Sequence, residues 1–263
     1  MTRKIKRTPQ FDLVLEIKDP RFIAPPREAQ RNWLLNRAMT EMAADLNALD
    51  GVAKGFVPGV EAVAIADRAG ADLSDDEIME DWQVPLMQAM ADVATEARGD
   101  VLEIGFGRGV SAEMIQQRAP RSHTLVECNA SVIGRYERWR AGHPESHIRM
   151  IVGRWQDVTD QMGMYDAIFF HTYPMDEQEY IETAVNSVTF AEHFFATASA
   201  HLRASGVFTY MSNEIDSLSR AHQRALFSHF SSINMRVLSL PDLPADIRDT
   251  WWARSMVIVR AVK

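Results

Sequence analysis

Residues 100–109 read Asp100-Val101-Leu102-Glu103-Ile104-Gly105-Phe106-Gly107-Arg108-Gly109, a short apolar run that ends in three alternating glycines. Few segments restrict a fold more. A brief apolar run bounded by glycine reads as a buried strand. Glycine adopts backbone angles closed to other residues, and its missing Cβ lets a ligand lie against the main chain. A helix starting directly behind the turn aims its unpaired N–H groups and partial positive charge at the same space. The order strand, glycine turn, helix therefore predicts a ligand site at the carboxyl end of a parallel strand.

The downstream sequence repeats this grammar. Strands are predicted at 100–104, 122–127, 148–152, 165–171, 206–212, 235–240 and 255–261, and helices at 109–118, 130–141, 177–203 and 217–230. Alternation of this kind gives a mostly parallel sheet with helices on both faces. The last two strands lie close enough to form an antiparallel hairpin at one edge. Two ligands suit the glycine turn. The dinucleotide fingerprint needs a glycine at position 110, where this chain has Val110. The alternative is S-adenosylmethionine, which has no pyrophosphate to cradle. The second strand, Ser122 to Glu127, ends in an acid about 20 residues after Gly105, where a carboxylate can accept from both ribose hydroxyls. The loop Gly153-Arg154-Trp155-Gln156-Asp157 follows the third strand, and Trp155 is placed to stack on a base, with Asp157 or a backbone N–H on its edge.

Ahead of this region the texture differs. Residues 1–26 read as an extended arm, with a short strand over 11–17 and Pro20, Pro25 and Pro26 behind it. Residues 27–49 place Trp33, Leu34, Ala38, Met42, Leu46 and Leu49 at helical spacing, which predicts an amphipathic helix. A loop over 51–59 and a short helix over 59–70 follow. Ser74 with Glu77 has the spacing of a capping box, predicting a helix over 74–98 that Pro85 kinks. The division drawn is an arm and helical extension over 1–73 and a catalytic domain over 74–263. The apolar face of helix 27–49 suits a lid over the site or the contact of a homodimer.

The formal net charge is −8, the wrong sign for a protein that coats nucleic acid or an anionic membrane surface. Cys128 is the single cysteine, which excludes an intrachain disulfide, and the eight histidines form no H-E-x-x-H pair, so no metal is expected. A basic start, Arg3 to Arg7, is not followed by the apolar stretch of a secretory leader, because Asp12, Glu16, Lys18 and Asp19 interrupt it. A cytoplasmic protein acting on a small molecule is the expectation.

Five segments carry a resemblance. They are Ile78-Met79-Glu80-Asp81-Trp82-Gln83-Val84-Pro85-Leu86-Met87, Val101 to Gly107, Val126-Glu127-Cys128-Asn129, His171-Thr172-Tyr173-Pro174 and Ser205-Gly206-Val207-Phe208-Thr209-Tyr210. In this order they resemble guanidinoacetate N-methyltransferase, over roughly residues 75–263. The resemblance implies a Rossmann-like class I methyltransferase fold with a seven-stranded sheet, and S-adenosylmethionine as cofactor. It implies that Met79, Met87, Gly105, Glu127 and Trp155 line the cofactor site, and that Gln83, His171, Asn213 and Glu214 face the acceptor. The candidate cofactor set is completed by Glu103, Phe106, Gly107, Cys128, Asn129, Arg154 and His171. The candidate acceptor set is completed by Trp82, Tyr173 and Trp251, with Arg108 and Arg154 as further anchors.

Two departures stand out. The family has acids at the positions of Gln83 and His171, and these grip a guanidinium and help remove its proton. At an effective dielectric of about 20, each lost charge pair is worth a few kcal/mol, so a strongly cationic acceptor should bind poorly. His171, with an ordinary pKa near ~6.5, is the candidate base, assisted by Tyr173 and Gln83. A thioether acceptor such as methionine would need no base, and aromatic faces would stabilise its sulfonium product. N-methylation of an amine or guanidino-type compound and S-methylation of a thioether amino acid are thus both open, with a non-catalytic binding module as a third reading.

Overall fold

A computed structural model of the chain describes residues 3–4, 16–17, 68–180, 183, 187–240, 243 and 254–263. Seven strands form one sheet: β1 (Asp100–Ile104), β2 (Ser122–Glu127), β3 (Ile148–Val152), β4 (Tyr165–Phe170), β5 (Leu202–Ser212), β6 (Ser232–Ser239) and β7 (Ser255–Val262). Their order across the sheet is β3-β2-β1-β4-β5-β7-β6. β3 to β5 pair in parallel through β1, and β7 runs antiparallel between β5 and β6. The expected hairpin at the edge is present, with β7 inserted beside β5. The arrangement is the Rossmann-like sheet of class I methyltransferases, with helices on both faces.

The principal helices are α1 (Val84–Ala94), α2 (Val110–Gln116), α3 (Ala130–Ala141), α4 (Phe195–His201) and α5 (Arg220–Phe227). Strands β1, β2 and β4 are buried almost throughout, as strands covered on both faces must be. Aromatic packing fills the centre. Phe170 stacks on Phe194 at 4.7 Å between ring centroids, and Phe208 stacks on Phe230 at 5.6 Å.

Three expectations are corrected. The helix predicted over 74–98 is interrupted. A single turn at Asp75–Ile78 is closed by the Ser74–Glu77 capping box, Met79 is extended, and α1 begins at Val84 with Pro85 in its first turn. Proline is tolerated there because the first N–H groups of a helix have no partner within it. The helix predicted over 177–203 is likewise broken into Glu177–Tyr180, a 3-10 turn at Phe190–Phe194, and α4. The Ser187-Val188-Thr189 run mixes β-branched and short polar side chains, which compete with helical hydrogen bonding. Thr189 is extended, and Val188 N donates to the Glu192 carboxylate at 2.9 Å. Strand β5 starts at Leu202 rather than 206. Its pairing with β4 shifts register between Tyr165 and Ala167, and Ser205 takes a positive φ of 63° to make the irregularity.

In the arm, Arg3–Lys4 pairs antiparallel with Glu16–Ile17. The predicted amphipathic helix 27–49, the loop 51–59 and Trp251 lie outside the described residues.

Candidate active site

The site forms where the carboxyl ends of β1, β2 and β4 meet. Gly105, Gly107 and Gly109 all have positive φ, at 89°, 55° and 79°. At Gly105 the need is absolute. A Cβ there would lie 2.3 Å from the carbonyl oxygen of His171, so the exits of β1 and β4 are in backbone contact. The amide of His171 in turn donates to Ile104 O at 3.2 Å.

Glu127 ties this turn to the end of β2. One carboxylate oxygen accepts from Phe106 N at 3.0 Å and lies 3.5 Å from Gly107 N. The other accepts from Cys128 N at 2.8 Å and Asn129 N at 2.9 Å. Asn129 caps α3 by accepting from Val132 N at 3.0 Å. Its amide nitrogen donates to Arg68 O at 2.5 Å and Ala71 O at 2.8 Å. Arg68 N also donates to Met175 O at 3.0 Å, so the segment entering at residue 68 is strapped over the ends of β2 and β4.

Two adjoining pockets result. The larger encloses about 620 Å³, partly open to solvent, with Met79, Gly105, Phe106, Gly107, Arg108, Ser111, Glu127, Asn129, His171, Tyr173 and Arg68 in its wall. The smaller, about 320 Å³, is walled by Glu127, Cys128, Arg154, Trp155, Tyr173 and Glu179 among others. Both share Gly105, Glu127 and Tyr173. Open main chain at a glycine turn, a carboxylate and an aromatic second chamber form a donor set that fits an adenosyl amino acid.

At the far end His171 is partly exposed along the pocket wall. Its Nε2 is buried with no hydrogen-bond partner among the described residues. Burial lowers its pKa to about 4, well below the ~6.5 expected of a solvated histidine, so the imidazole is neutral at physiological pH. Its ring meets Tyr173 edge-on at 5.6 Å, and the Tyr173 hydroxyl is hydrogen-bonded to the side-chain amide of Gln83 at 3.2 Å. Gln83 itself is almost wholly buried.

Several predicted residues are turned to other tasks. Met87 is fully buried in the core and lines neither pocket, because the start of α1 at Val84 turns it inward. Glu103 is likewise absent from the pocket walls and fully buried. Val101 pairs with His123 and Glu103 with Leu125, so Glu103 and His123 share a sheet face, where their side chains lie 2.8 Å apart. Ser111 at the start of α2 also hydrogen-bonds Glu103. Trp82 is buried and donates to Glu80 at 2.8 Å. Glu214 accepts from Ser219 N at 2.8 Å and lies 2.7 Å from Nδ1 of His222, whose Nε2 is bonded to Tyr210, so its carboxylate is engaged away from the pocket. Asn213 is exposed and lines neither pocket.

Other predicted residues lie in the pocket walls. Trp155 lines the smaller pocket, braced edge-on against Phe194 at 4.9 Å. Arg154 reaches Glu179 at 3.0 Å. Burial raises the Cys128 thiol to about 11, with the neighbouring Glu127 adding to the effect, which keeps it a neutral pocket-wall group. Arg108 is held by Met79 O at 2.8 Å and by Asp81 at 2.7 Å. Arg68, Thr172 and Met175 were not anticipated. No periodicity in the sequence marks them, since all three sit in irregular chain. Among the described residues no group of His, Cys, Asp and Glu is arranged to hold a metal ion, and no helix is long and apolar enough to cross a membrane.

This sheet order, glycine turn and cleft are those of the class I fold of S-adenosylmethionine-dependent methyltransferases. Among solved structures the fold is similar to precorrin-6y C5,15-methyltransferase from Geobacter metallireducens, with a TM-score of 0.50 and 12% identity over 78% of this chain and 100% of that one. It is also similar to TrmN from Thermus thermophilus, with a TM-score of 0.51 and 16% identity over 68% of this chain and 49% of that one. The family model for guanidinoacetate N-methyltransferase matches residues 61–230, well over half of the chain, and the protein belongs to that family. Curated relatives include protein arginine N-methyltransferase 2 of Yarrowia lipolytica, 26% identical over 52% of this chain and 28% of the relative. The protein of the same name from Aspergillus fumigatus is 27% identical over 50% of this chain and 34% of the relative. The chain thus spans about a third of the length of these relatives or less.

Proposed function

We propose that this methyltransferase modifies a nitrogen of a small, amino-acid-like acceptor, an amine or guanidino-type compound. The observation that carries this reading is the neutral His171, whose buried Nε2 has no hydrogen-bond partner among the described residues. An acceptor N–H is the group such an atom would receive. The relatives named arginine N-methyltransferases support a nitrogen nucleophile.

In this reading Glu127 takes the ribose hydroxyls, at the oxygen that reaches Gly107 N only at 3.5 Å. Trp155 covers the adenine, and the glycine turn receives the methionine portion. Bound S-adenosylmethionine supplies an electrophilic methyl group on a sulfonium. The protein's own work is alignment and exclusion of water. His171 accepts a hydrogen bond from the acceptor nitrogen and aims its lone pair. A pKa of about 4 leaves the imidazole neutral and free to accept that bond, and the proton released on methylation passes on to solvent. Tyr173, held by the buried amide of Gln83, orients the acceptor. With neutral Gln83 and His171 where the family has acids, an acceptor that arrives uncharged at the reacting nitrogen is favoured.

The weak basicity of His171 and the neutral Gln83–Tyr173 pair also suit a thioether, which loses no proton on methylation. A turnover screen separates the two. Release of S-adenosylhomocysteine is followed with guanidinoacetate, arginine, an arginine-bearing peptide, simple amines, methionine and related thioethers. Turnover of a nitrogen acceptor, with kcat reduced by about 10²-fold in His171→Ala, fits the proposal. Turnover confined to thioethers, with His171→Ala nearly as active, would transfer the assignment to sulfur.

A further inference from the structure

The charges in the wall of the larger pocket are unequally committed. Both Glu127 carboxylate oxygens already accept from backbone amides, and the capacity left beside the 3.5 Å contact with Gly107 N is the part assigned to the ribose hydroxyls. Arg108 is spent on Asp81, with Asp75 at 3.9 Å and the Met79 carbonyl completing its shell. In the smaller pocket Arg154 is spent on Glu179 and faces Asp176. Arg68 differs. Its guanidinium donates to Glu77 O at 2.5 Å, and among the described residues no carboxylate lies within ion-pair distance of it. One bond leaves most of its five N–H donors unassigned.

Its position is fixed as well as its charge. The Arg68 guanidinium lies over the Tyr173 ring, 5.5 Å from the centroid. Its backbone is held on both sides, by Met175 O and by the Asn129 side chain. Tyr173 is the residue that touches both His171 and Gln83. Arg68 therefore stands at the acceptor end, stacked and pre-oriented, which is how a planar fork best recognises a carboxylate.

We infer that Arg68 docks the carboxylate of the methyl acceptor, making the substrate class a zwitterionic or anionic amino or guanidino acid and not a simple amine. The inference rests on the nitrogen-acceptor reading above. It also explains how a pocket with both acids replaced still selects an amino-acid-like molecule. Charge selection has moved from the reacting nitrogen to the opposite end of the substrate.

The chemistry recognised is a carboxylate, and S-adenosylmethionine has one too, so the test must separate the sources. Matched pairs with and without the carboxylate are compared, guanidinoacetate against methylguanidine and 3-aminopropionate against ethylamine. Wild type, Arg68→Gln and Arg68→Lys are assayed for turnover, and their affinity for S-adenosylmethionine is measured by calorimetry, which also reports folding. The expected result is that wild type prefers the carboxylated member by roughly 10- to 100-fold in kcat/KM. Arg68→Gln abolishes that preference through KM, Arg68→Lys restores part of it, and cofactor affinity stays near wild type. A preference that survives in Arg68→Gln overturns the inference. So does a loss confined to cofactor affinity, which would assign Arg68 to the cofactor's own carboxylate. If no pair is turned over, the nitrogen-acceptor reading fails. Carboxylate docking is then judged by calorimetric binding of the same pairs to the S-adenosylhomocysteine complex, and equal binding within each pair overturns it.

Discussion

The two ends of the cleft are built from different materials. The cofactor end is mainly main chain: three glycines at positive φ, a carbonyl seated where a Cβ would be, and amides converging on Glu127. The end proposed for the acceptor is side chain, with Gln83, His171 and Arg68 each set against Tyr173. Backbone geometry responds to substitution by breaking. Side-chain geometry responds by changing its preference.

The sharpest way to break the comparison is Gly105→Ala. A methyl group 2.3 Å from the His171 carbonyl, at a φ of 89°, forces β1 and β4 apart. Cofactor affinity should fall by more than about 100-fold, and stability by several kcal/mol, in calorimetry and thermal melts. Retained affinity would show that the turn tolerates side chains after all. Next in size is Glu127→Gln, which removes the charge but keeps the shape. Cofactor binding should weaken by about 10- to 100-fold while acceptor discrimination among the species still turned over is unchanged. A change in discrimination would mean the two ends are not separable.

Gln83→Glu tests the other end. Restoring an acid beside Tyr173 should improve kcat/KM for a cationic guanidino compound relative to a neutral amine by roughly tenfold, with cofactor affinity nearly constant. An unchanged ratio would remove position 83 from acceptor selection. The smallest effect is on pH. His171 has a folded pKa of about 4 against ~6.5 unfolded, so the unfolded chain takes up a proton that the folded chain refuses. Its contribution to stability is complete above about pH 6.5 and is lost as the pH falls towards 4. The melting temperature of His171→Gln should therefore decline less over that window than that of wild type. Identical slopes would mean that the imidazole is solvated.

The same contrast governs what the sequence disclosed. Strands β1, β2 and β3 match their predicted limits because short apolar runs between glycine and polar loops admit few other readings. The glycine turn was legible because its positive φ angles fix residue type. The placement of Met87 was not. Its direction depends on where α1 starts, and Pro85 moved that start. The pairing of Glu214 was not legible, because its partner, His222, is eight residues away on another element. Glu103 was read as a ligand group because its neighbours in sequence point at the cleft, whereas the alternation of a strand turns it to His123. Arg68 lies in irregular chain, where no period gives a side chain its direction.

The seat of the His171 carbonyl against Gly105 joins the two ends at one covalent position. Residue 171 contributes its main chain to the architecture and, in the proposed mechanism, its imidazole to the chemistry, and only the second can be rewritten cheaply. An engineer wanting a new acceptor can exchange what hangs from position 171, or from 83, as one changes the bit in a fixed chuck. Any redesign that re-aims the exit of β4 to enlarge the acceptor chamber will pull on the turn beneath the methionine portion of the cofactor. Widening the substrate range in that way will show first as a weaker grip on the methyl donor.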